Sequence, residues 1–256
     1  VFRLHEKASL DRLIEIISEI DALTSMADVT SDCGFALPHI EEGALCVHAE
    51  NLVHPLLTDA VANPLGLSQK QRTLFLTGPN MAGKTTYLRA TALALLLAQM
   101  GMGVPASKFR FAPAQYLFTS ISLSDDLSGG VSYFRAEALR VKAVALAVSQ
   151  GYRVMALMDE PFKGTNVRDA IDASSSIIVR FSTKANCLFI FSSHLIELSE
   201  QLQGNAQVDC RCFKAEEHEG RLRFDYQLHP GVSSQRLGMR VLQEEGIFDL
   251  LDSGQA

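Results

Sequence analysis

The first part of the chain has apolar side chains at the spacing of one helix face. They recur every three or four positions, at Leu10, Leu13, Ile14, Ile17, Ile20 and Leu23. This spacing predicts an amphipathic helix.

Residues 32–50 are irregular and contain Gly34, Pro38 and Gly43. We therefore place a boundary that divides the chain into residues 1–30 and 31–256. Because helical sequence begins at the first residue, we expect the first part to continue a longer helical region.

Beyond residue 70, short apolar runs alternate with segments rich in helix-forming residues. Residues 73–77, 153–158 and 187–192 indicate buried strands, whereas residues 84–100 and 141–148 indicate helices. This alternation predicts an α/β fold with a mainly parallel sheet that is flanked by helices on both faces. With 256 residues, the chain is long enough to bury a core of that kind.

The charge balance limits the possible partners. Lysine and arginine number 23 against 29 aspartates and glutamates, which gives a net charge of −6. A free-standing basic nucleic-acid binder is therefore disfavoured, and any contact with nucleic acid must come from a local patch. Hydrophobic residues at 47% and charged residues at 20% are near the averages of globular proteins, so composition alone indicates no activity.

The sequence shows no targeting or membrane signal. Its richest apolar segment, residues 91–104, is shorter than the roughly 20 residues that span a bilayer, and Gln99 and two glycines interrupt it. The five cysteines are an odd number without zinc-site spacing, which favours reduced thiols over a disulfide framework or a metal site. We therefore expect a cytoplasmic protein that makes no contact with a membrane.

Residues 78–85 match the phosphate-binding pattern G-x-x-x-x-G-K-[ST] and lie between a predicted strand and a predicted helix, the context that the pattern requires. The glycines let backbone N–H groups close around a phosphate. Lys84 would reach the β and γ oxygens, and Thr85 would offer a hydroxyl to Mg²⁺. The candidate nucleotide ligands are Gly78, Pro79, Asn80, Met81, Ala82, Gly83, Lys84, Thr85 and Thr86.

Two further predicted strands end in residues suited to phosphate chemistry. Asp159 and Glu160 follow the strand at 153–158, and the carboxyl ends of strands are where α/β sheets bind ligands. Asp159 would hold Mg²⁺ through water or Thr85, and Glu160 would orient or deprotonate the attacking water. The strand at 187–192 leads to His194, which suits a sensor of the γ-phosphate, although a lone histidine is more often structural.

A small, polar segment at residues 124–132 precedes a further predicted helix. Ser132 occupies the N-cap position of that helix. A serine at a helix N-terminus is also a natural ligand of a γ-phosphate, and in head-to-tail ATPase dimers such a segment reaches the partner's nucleotide. Ser128 qualifies for the same role, and a plain capped helix is the alternative interpretation.

Taken together, these motifs resemble the ATPase domain of the MutS family, the mismatch-repair branch of the ABC-type ATPases. The resemblance covers nearly the whole chain, and it is most specific at Pro79, Asn80 and Met81, because few other phosphate-loop families contain this insertion. The family's later motifs are matched, in the same order, by residues 124–127, 159–165, 193–198 and 226–231. Residues 1–30 resemble the end of the family's lever helices, and residues 31–256 resemble its ATPase domain.

The resemblance implies a P-loop ATPase of the ABC type that works as a homodimer. Each ATP, with Mg²⁺, would lie between one subunit's phosphate loop and the other's Ser132 segment. ATP-driven closure would then move the levers and a DNA clamp, most of which lies outside these residues. The resemblance also implies that Asn80 helps to orient the γ-phosphate and that Tyr226 stacks on adenine.

The sequence departs from the family pattern at several positions. Ala82 stands where the family usually has glycine, and Ala60 where an adenine-stacking aromatic is often found. Tyr133 replaces threonine, and Pro-Phe-Lys at residues 161–163 replaces the usual Ile-Gly-Arg. These changes leave the phosphate chemistry intact. They leave open whether the protein acts in standard mismatch repair or is a divergent paralogue with another DNA substrate.

Two other functions compete with this one. Residues 127–130 spell the ABC-transporter signature, which suggests a transporter or SMC-type ATPase. The spacing argues against it, because 44 residues separate Lys84 from Ser128 and 31 separate Ser128 from Asp159, whereas transporters place a longer segment before the signature and a shorter one after it. The second competitor is a scaffold that binds nucleotide without turnover, which the intact set of candidate catalytic residues disfavours.

Overall fold

A computed structural model of the chain describes residues 2–121, 133–218, 221–235 and 237–253. The helices are, in chain order, α1 (Phe2–Asp32), α2 (Lys84–Gln99), α3 (Tyr133–Ser149), α4 (Val167–Ser182), α5 (Ile196–Leu202), α6 (Gly238–Glu244) and α7 (Ile247–Ser253). The strands are β1 (His39–Ile40), β2 (Val47–Leu52), β3 (Asn63–Leu67), β4 (Thr73–Thr77), β5 (Lys108–Phe111), β6 (Tyr116–Ser120), β7 (Val154–Asp159), β8 (Cys187–Ser192), β9 (Val208–Cys212), β10 (Ala215–His218), β11 (Arg221–Phe224) and β12 (His229–Pro230).

The central sheet has six strands in the order β12-β9-β4-β8-β7-β6. Five of them run parallel, and β12 pairs antiparallel with β9 at one edge. Every residue of β4 and β8 is buried, as expected of strands that are covered on both faces. The three strands and the two helices predicted in this region are therefore confirmed, and the mainly parallel sheet with them.

Two hydrophobic cores cover the two faces of this sheet. Leu74 and Leu76 of β4 pack on one face with Leu88 of α2. Phe75, which lies between them, packs on the other face with Ile178 of α4. The opposite directions follow from the two-residue repeat of a strand. The sheet is thereby held between α2 on one side and the helices α3, α4 and α5 on the other.

A second, four-stranded sheet lies outside the sequence prediction. Its order is β1-β5-β2-β3, with β2 antiparallel to both β3 and β5. The prediction that residues 32–50 are irregular is wrong at both strands that begin there, β1 and β2. Val47 and Ala49 are buried in β2. Val47 pairs with Leu67 and Phe111, and Ala49 pairs with Leu65 and Phe109. The alternation of buried and less buried residues in β2 is too short to predict a strand from the sequence. Pairing with β3 and β5 stabilises this strand.

The first helix is longer than its apolar spacing predicts. It extends over 31 residues, and the apolar side chains of its stripe, from Leu10 to Leu23, remain exposed. Within the described ranges, no helix combines the length and the apolar character needed to cross a membrane.

The end of α1 is attached to the loop that follows α2. The Thr30 hydroxyl accepts the N–H of Gly103 at 3.2 Å and donates to the Met26 carbonyl at 2.7 Å. Ala36 and Val104 exchange two backbone hydrogen bonds beside it. A Cβ atom on Gly103 would lie 2.4 Å from Cγ2 of Thr30, so the close approach of these two segments requires glycine at this position.

We expect Gly103→Ala to lower the free energy of unfolding by about 1–3 kcal/mol, the usual cost of forcing an extra methyl into a packed contact. Chemical denaturation of the purified chain measures it. Thr30→Ala in the same chain should restore part of the loss, because it removes the two nearest atoms. Gly238→Ala is the matched control, since nothing lies within 4 Å of its Cβ position. A loss of equal size in Gly238→Ala would contradict the steric explanation.

Candidate nucleotide-binding site

The phosphate-binding pattern forms a tight loop between β4 and α2. Gly78 has a φ of 139°, and a Cβ atom there would lie 2.6 Å from the Phe213 carbonyl oxygen. Gly83 has a φ of 107° and is the N-cap of α2, where no side chain caps the helix. A side chain at either glycine would be strained. The loop therefore presents the uncapped N–H groups of a 16-residue helix, which is the usual way in which proteins bind an anion.

Lys84 lies inside this loop. It is buried, and its Nζ donates to the carbonyl oxygens of Gly78 at 2.8 Å and Pro79 at 3.1 Å. Its Nζ also lies 4.0 Å from Oε1 of Glu160. Burial lowers the pKa of Lys84, while the nearby carboxylates of Glu160 and Asp159 act in the opposite direction. The structure thus brings the predicted lysine and both predicted acids to one place.

Asp159 joins the loop to the central sheet. Its Oδ2 accepts a hydrogen bond from the Thr85 hydroxyl at 2.6 Å, and its Oδ1 accepts one from the Ser192 hydroxyl. Thr85 and Asp159 are the two predicted Mg²⁺ ligands, and the structure places them in direct contact. Hydroxyl and carboxylate oxygens are the donors that Mg²⁺ prefers, so the residues present fit this ion.

Glu160 and His194 form a pair beside Lys84. The Nδ1 of His194 lies 3.0 Å from Oε1 of Glu160, with 47% of the histidine side chain and 22% of the glutamate side chain exposed. The hydrogen bond that the His194 ring donates to Glu160 is the largest cause that raises the pKa of His194. The same bond is the largest cause that lowers the pKa of Glu160. His194 is therefore placed at the open side of the site, within reach of the acid.

The remaining loop positions differ in their exposure. Asn80 and Met81 are exposed, whereas Pro79 and Ala82 are buried. The methyl group of Ala82 lies in the core, and its backbone is not among those with positive φ. The alanine that departs from the family pattern is thus accommodated without left-handed backbone.

A cavity of about 340 Å³ opens against the same loop. Gly83 and Thr86 line it from the loop and the first turn of α2, and Tyr226 lines it from the segment after β11. Ala60 is also part of the lining, so the position that often holds an aromatic in the family contributes a methyl group here. The cavity places Tyr226, the predicted adenine-stacking residue, next to the phosphate loop.

Asn63 is a residue of this region that the sequence analysis did not identify as functional. Its Nδ2 donates to the Tyr226 carbonyl at 2.9 Å and to the Val61 carbonyl at 3.2 Å, and its Oδ1 accepts the N–H of Leu228 at 2.7 Å. Asn63 is buried and joins two walls of the cavity. An asparagine among apolar neighbours was the available signal, because a buried amide needs partners for its polar atoms.

Ser132 and Ser128 lie outside the described residues. The helix that the sequence predicts after them is present as α3, which begins at Tyr133.

Comparison with known proteins gives related sequences. Residues 74–250 match the family model described as MutS domain V. The DNA mismatch repair protein MutS of Brevibacillus brevis is 34% identical over an alignment of 245 residues, and the match covers 91% of this chain. The chain spans 28% of the length of that relative.

The interaction between Glu160 and His194 makes its contribution to stability dependent on pH. The raised pKa of His194 contributes stability that is present below its ordinary value of 6.5 and is lost as the pH rises through the folded value. The lowered pKa of Glu160 contributes stability that is present above 4.5 and is lost as the pH falls through its folded value. The two groups therefore stabilise each other most between these limits.

We expect Glu160→Gln to lower the pKa of His194, because the substitution removes the carboxylate that favours the protonated ring. An NMR titration of the histidine ring signals measures the change. Glu200→Gln, on an exposed part of α5, removes the same charge elsewhere and should leave the His194 midpoint in place. An unchanged midpoint in Glu160→Gln would show that the pair does not form in solution.

Proposed function

The chain belongs to the MutS family, and from this membership we propose that residues 31–256 form a Mg²⁺-dependent ATPase domain of the ABC type. The observation that supports it best is the contact between Thr85 and Asp159 at 2.6 Å, with Lys84 and Glu160 beside it. These four side chains come from two segments of the chain that are 74 residues apart, counted from 85 to 159. Lys84 is suited to bind a phosphate, Thr85 and Asp159 are suited to hold a metal ion, and Glu160 is suited to orient a water molecule.

Lys84 first exchanges its partners when ATP binds. Its Nζ leaves the carbonyl oxygens of Gly78 and Pro79 and contacts the β- and γ-phosphate oxygens, while the loop N–H groups surround the phosphates. Thr85 and Asp159 would hold Mg²⁺, Asp159 through water or Thr85, and the ion would supply positive charge that neutralises the phosphate oxygens. In the cavity beside the loop, Tyr226 stacks on the adenine.

Glu160 then acts on the attacking water. Its lowered pKa keeps the carboxylate ionised at neutral pH, so it can orient the water or accept its proton. His194 contacts the γ-phosphate, and its hydrogen bond to Glu160 links the two groups. Asn80, which is exposed on the loop, helps to orient the same phosphate. Ser132 of the partner subunit completes the site and neutralises the charge that develops on the γ-phosphate.

The full protein then works as a homodimer whose ATP-driven closure controls a clamp on DNA. Residues 1–30 are the end of the lever that would transmit this motion, and the clamp lies mostly outside the chain. Asn80, Met81 and His194 are exposed at the site. This exposure supports the arrangement, because these side chains are accessible for contact with a second subunit.

We expect Glu160→Gln to reduce ATP turnover about 100-fold or more, the usual contribution of a general base, while ATP binding stays close to that of the parent. A steady-state phosphate-release assay and a nucleotide-binding titration measure the two quantities. Glu200→Gln should match the parent in both. Hydrolysis at the parent rate by Glu160→Gln would refute the role of Glu160. A parent chain that binds ATP without turnover would favour the nucleotide-binding scaffold.

We expect Glu160→Gln to dimerise when Mg²⁺ and ATP are added, because ATP that is bound without turnover keeps the composite sites closed. Sedimentation velocity with and without Mg²⁺-ATP measures it. Adding Ser132→Ala should weaken the dimer more than adding Ser128→Ala, and the reverse order would indicate a transporter-like signature. A monomer that still binds ATP would contradict the composite site in this chain.

A further inference from the structure

Ser192 contacts both acids of the site. It is the last residue of β8, and in the parallel register of β7 and β8 it lies opposite Asp159. Its side chain is fully buried, and its hydroxyl donates to Oδ1 of Asp159. Its backbone carbonyl accepts the N–H of Glu160 at 3.0 Å. The end of one strand thereby fixes the side chain of the first acid and the backbone of the second.

The two oxygens of Asp159 have different partners. Oδ1 accepts from Ser192, inside the sheet, and Oδ2 accepts from Thr85, on the phosphate loop. A carboxylate turns easily about its last bond, so its two oxygens exchange places unless a partner distinguishes them. The Ser192 hydroxyl distinguishes them, and it does so from β8, which takes no part in the phosphate loop.

We propose that Ser192 is a positioning residue for metal binding, which keeps Oδ2 of Asp159 directed toward Thr85 and the Mg²⁺ site. The inference rests on the proposed function. With Mg²⁺ bound, the Thr85 hydroxyl oxygen would contact the ion while its proton still donates to Oδ2, and Ser192 is the donor that holds the other oxygen, Oδ1, from within the sheet. Without it, Oδ1 loses its partner inside the sheet, and the carboxylate turns to regain one at the expense of the metal.

Ser193 provides a matched control at the next position. It is also buried, but its hydroxyl accepts the N–H of Leu195 at 3.1 Å, where the chain turns toward α5. Ser193→Ala therefore removes the same hydroxyl group from the same strand end without changing the partners of Asp159.

The experiment compares nucleotide binding with and without the metal. Binding of the non-hydrolysable analogue AMP-PNP is titrated by calorimetry in Mg²⁺ and in EDTA, and the ratio of the two affinities isolates the contribution of the metal. We expect Ser192→Ala to reduce this ratio about tenfold, an effect typical of one hydrogen bond to a charged group. Its affinity in EDTA should equal that of the parent. Ser193→Ala should keep the parent ratio.

A second variant keeps the test valid if the alanine destabilises the strand end. Ser192→Cys is close in size but is a weaker donor, so it should reduce the ratio in the same direction and by less. An unchanged ratio in both Ser192 variants, or an equal loss in Ser193→Ala, would overturn the inference and leave the proposed function intact. A parent chain whose binding does not strengthen with Mg²⁺ would overturn both.

Discussion

The site depends on one carboxylate that three elements share. Asp159 ends β7, and its oxygens accept hydroxyl hydrogen bonds from the first turn of α2 and from the end of β8. The parallel order of β4, β8 and β7 brings these ends to the same edge of the sheet. Oε1 of Glu160, the next residue, lies 4.0 Å from the Lys84 Nζ and 3.0 Å from the His194 Nδ1. The phosphate loop, the two acids and the histidine thus meet around this carboxylate.

The backbone around this carboxylate is in an unusual conformation. Six non-glycine residues of the described chain have positive φ, and two of them are asparagines, which tolerate it. The other four are Met81, Glu160, Phe162 and Tyr226, which lie in the site or close to it. Such backbone costs of order 1–3 kcal/mol per residue and persists only where neighbours hold it. The Ser192 carbonyl accepts the backbone N–H of Glu160, and the side-chain amide of Asn63 donates to the carbonyl of Tyr226.

One helix connects the site to the first part of the chain. The 16 residues of α2 begin at Lys84 and end next to the loop that contains Gly103, about 24 Å away at the rise of an α-helix. Gly103 in turn contacts Thr30 of α1. The core packing of Leu88 and Ala94 fixes this helix against the sheet, so packed structure is continuous from the phosphate loop to the end of α1.

The sequence by itself determined the local elements and the chemistry. Apolar runs of five or six residues and the glycine pattern at 78–85 depend on neighbours in the chain, so β4, β7, β8, α2 and the residues suited to phosphate could be predicted. Tertiary structure alone decided the pairing of the second sheet, the hydrogen bond between Asn63 and Tyr226 in the wall of the cavity, and the contact of Ser192 with Asp159. Ser192 and Asp159 are 33 residues apart, and Asn63 and Tyr226 are 163 residues apart. An ordinary serine or asparagine in the sequence gives no sign of the partner that packing will bring to it.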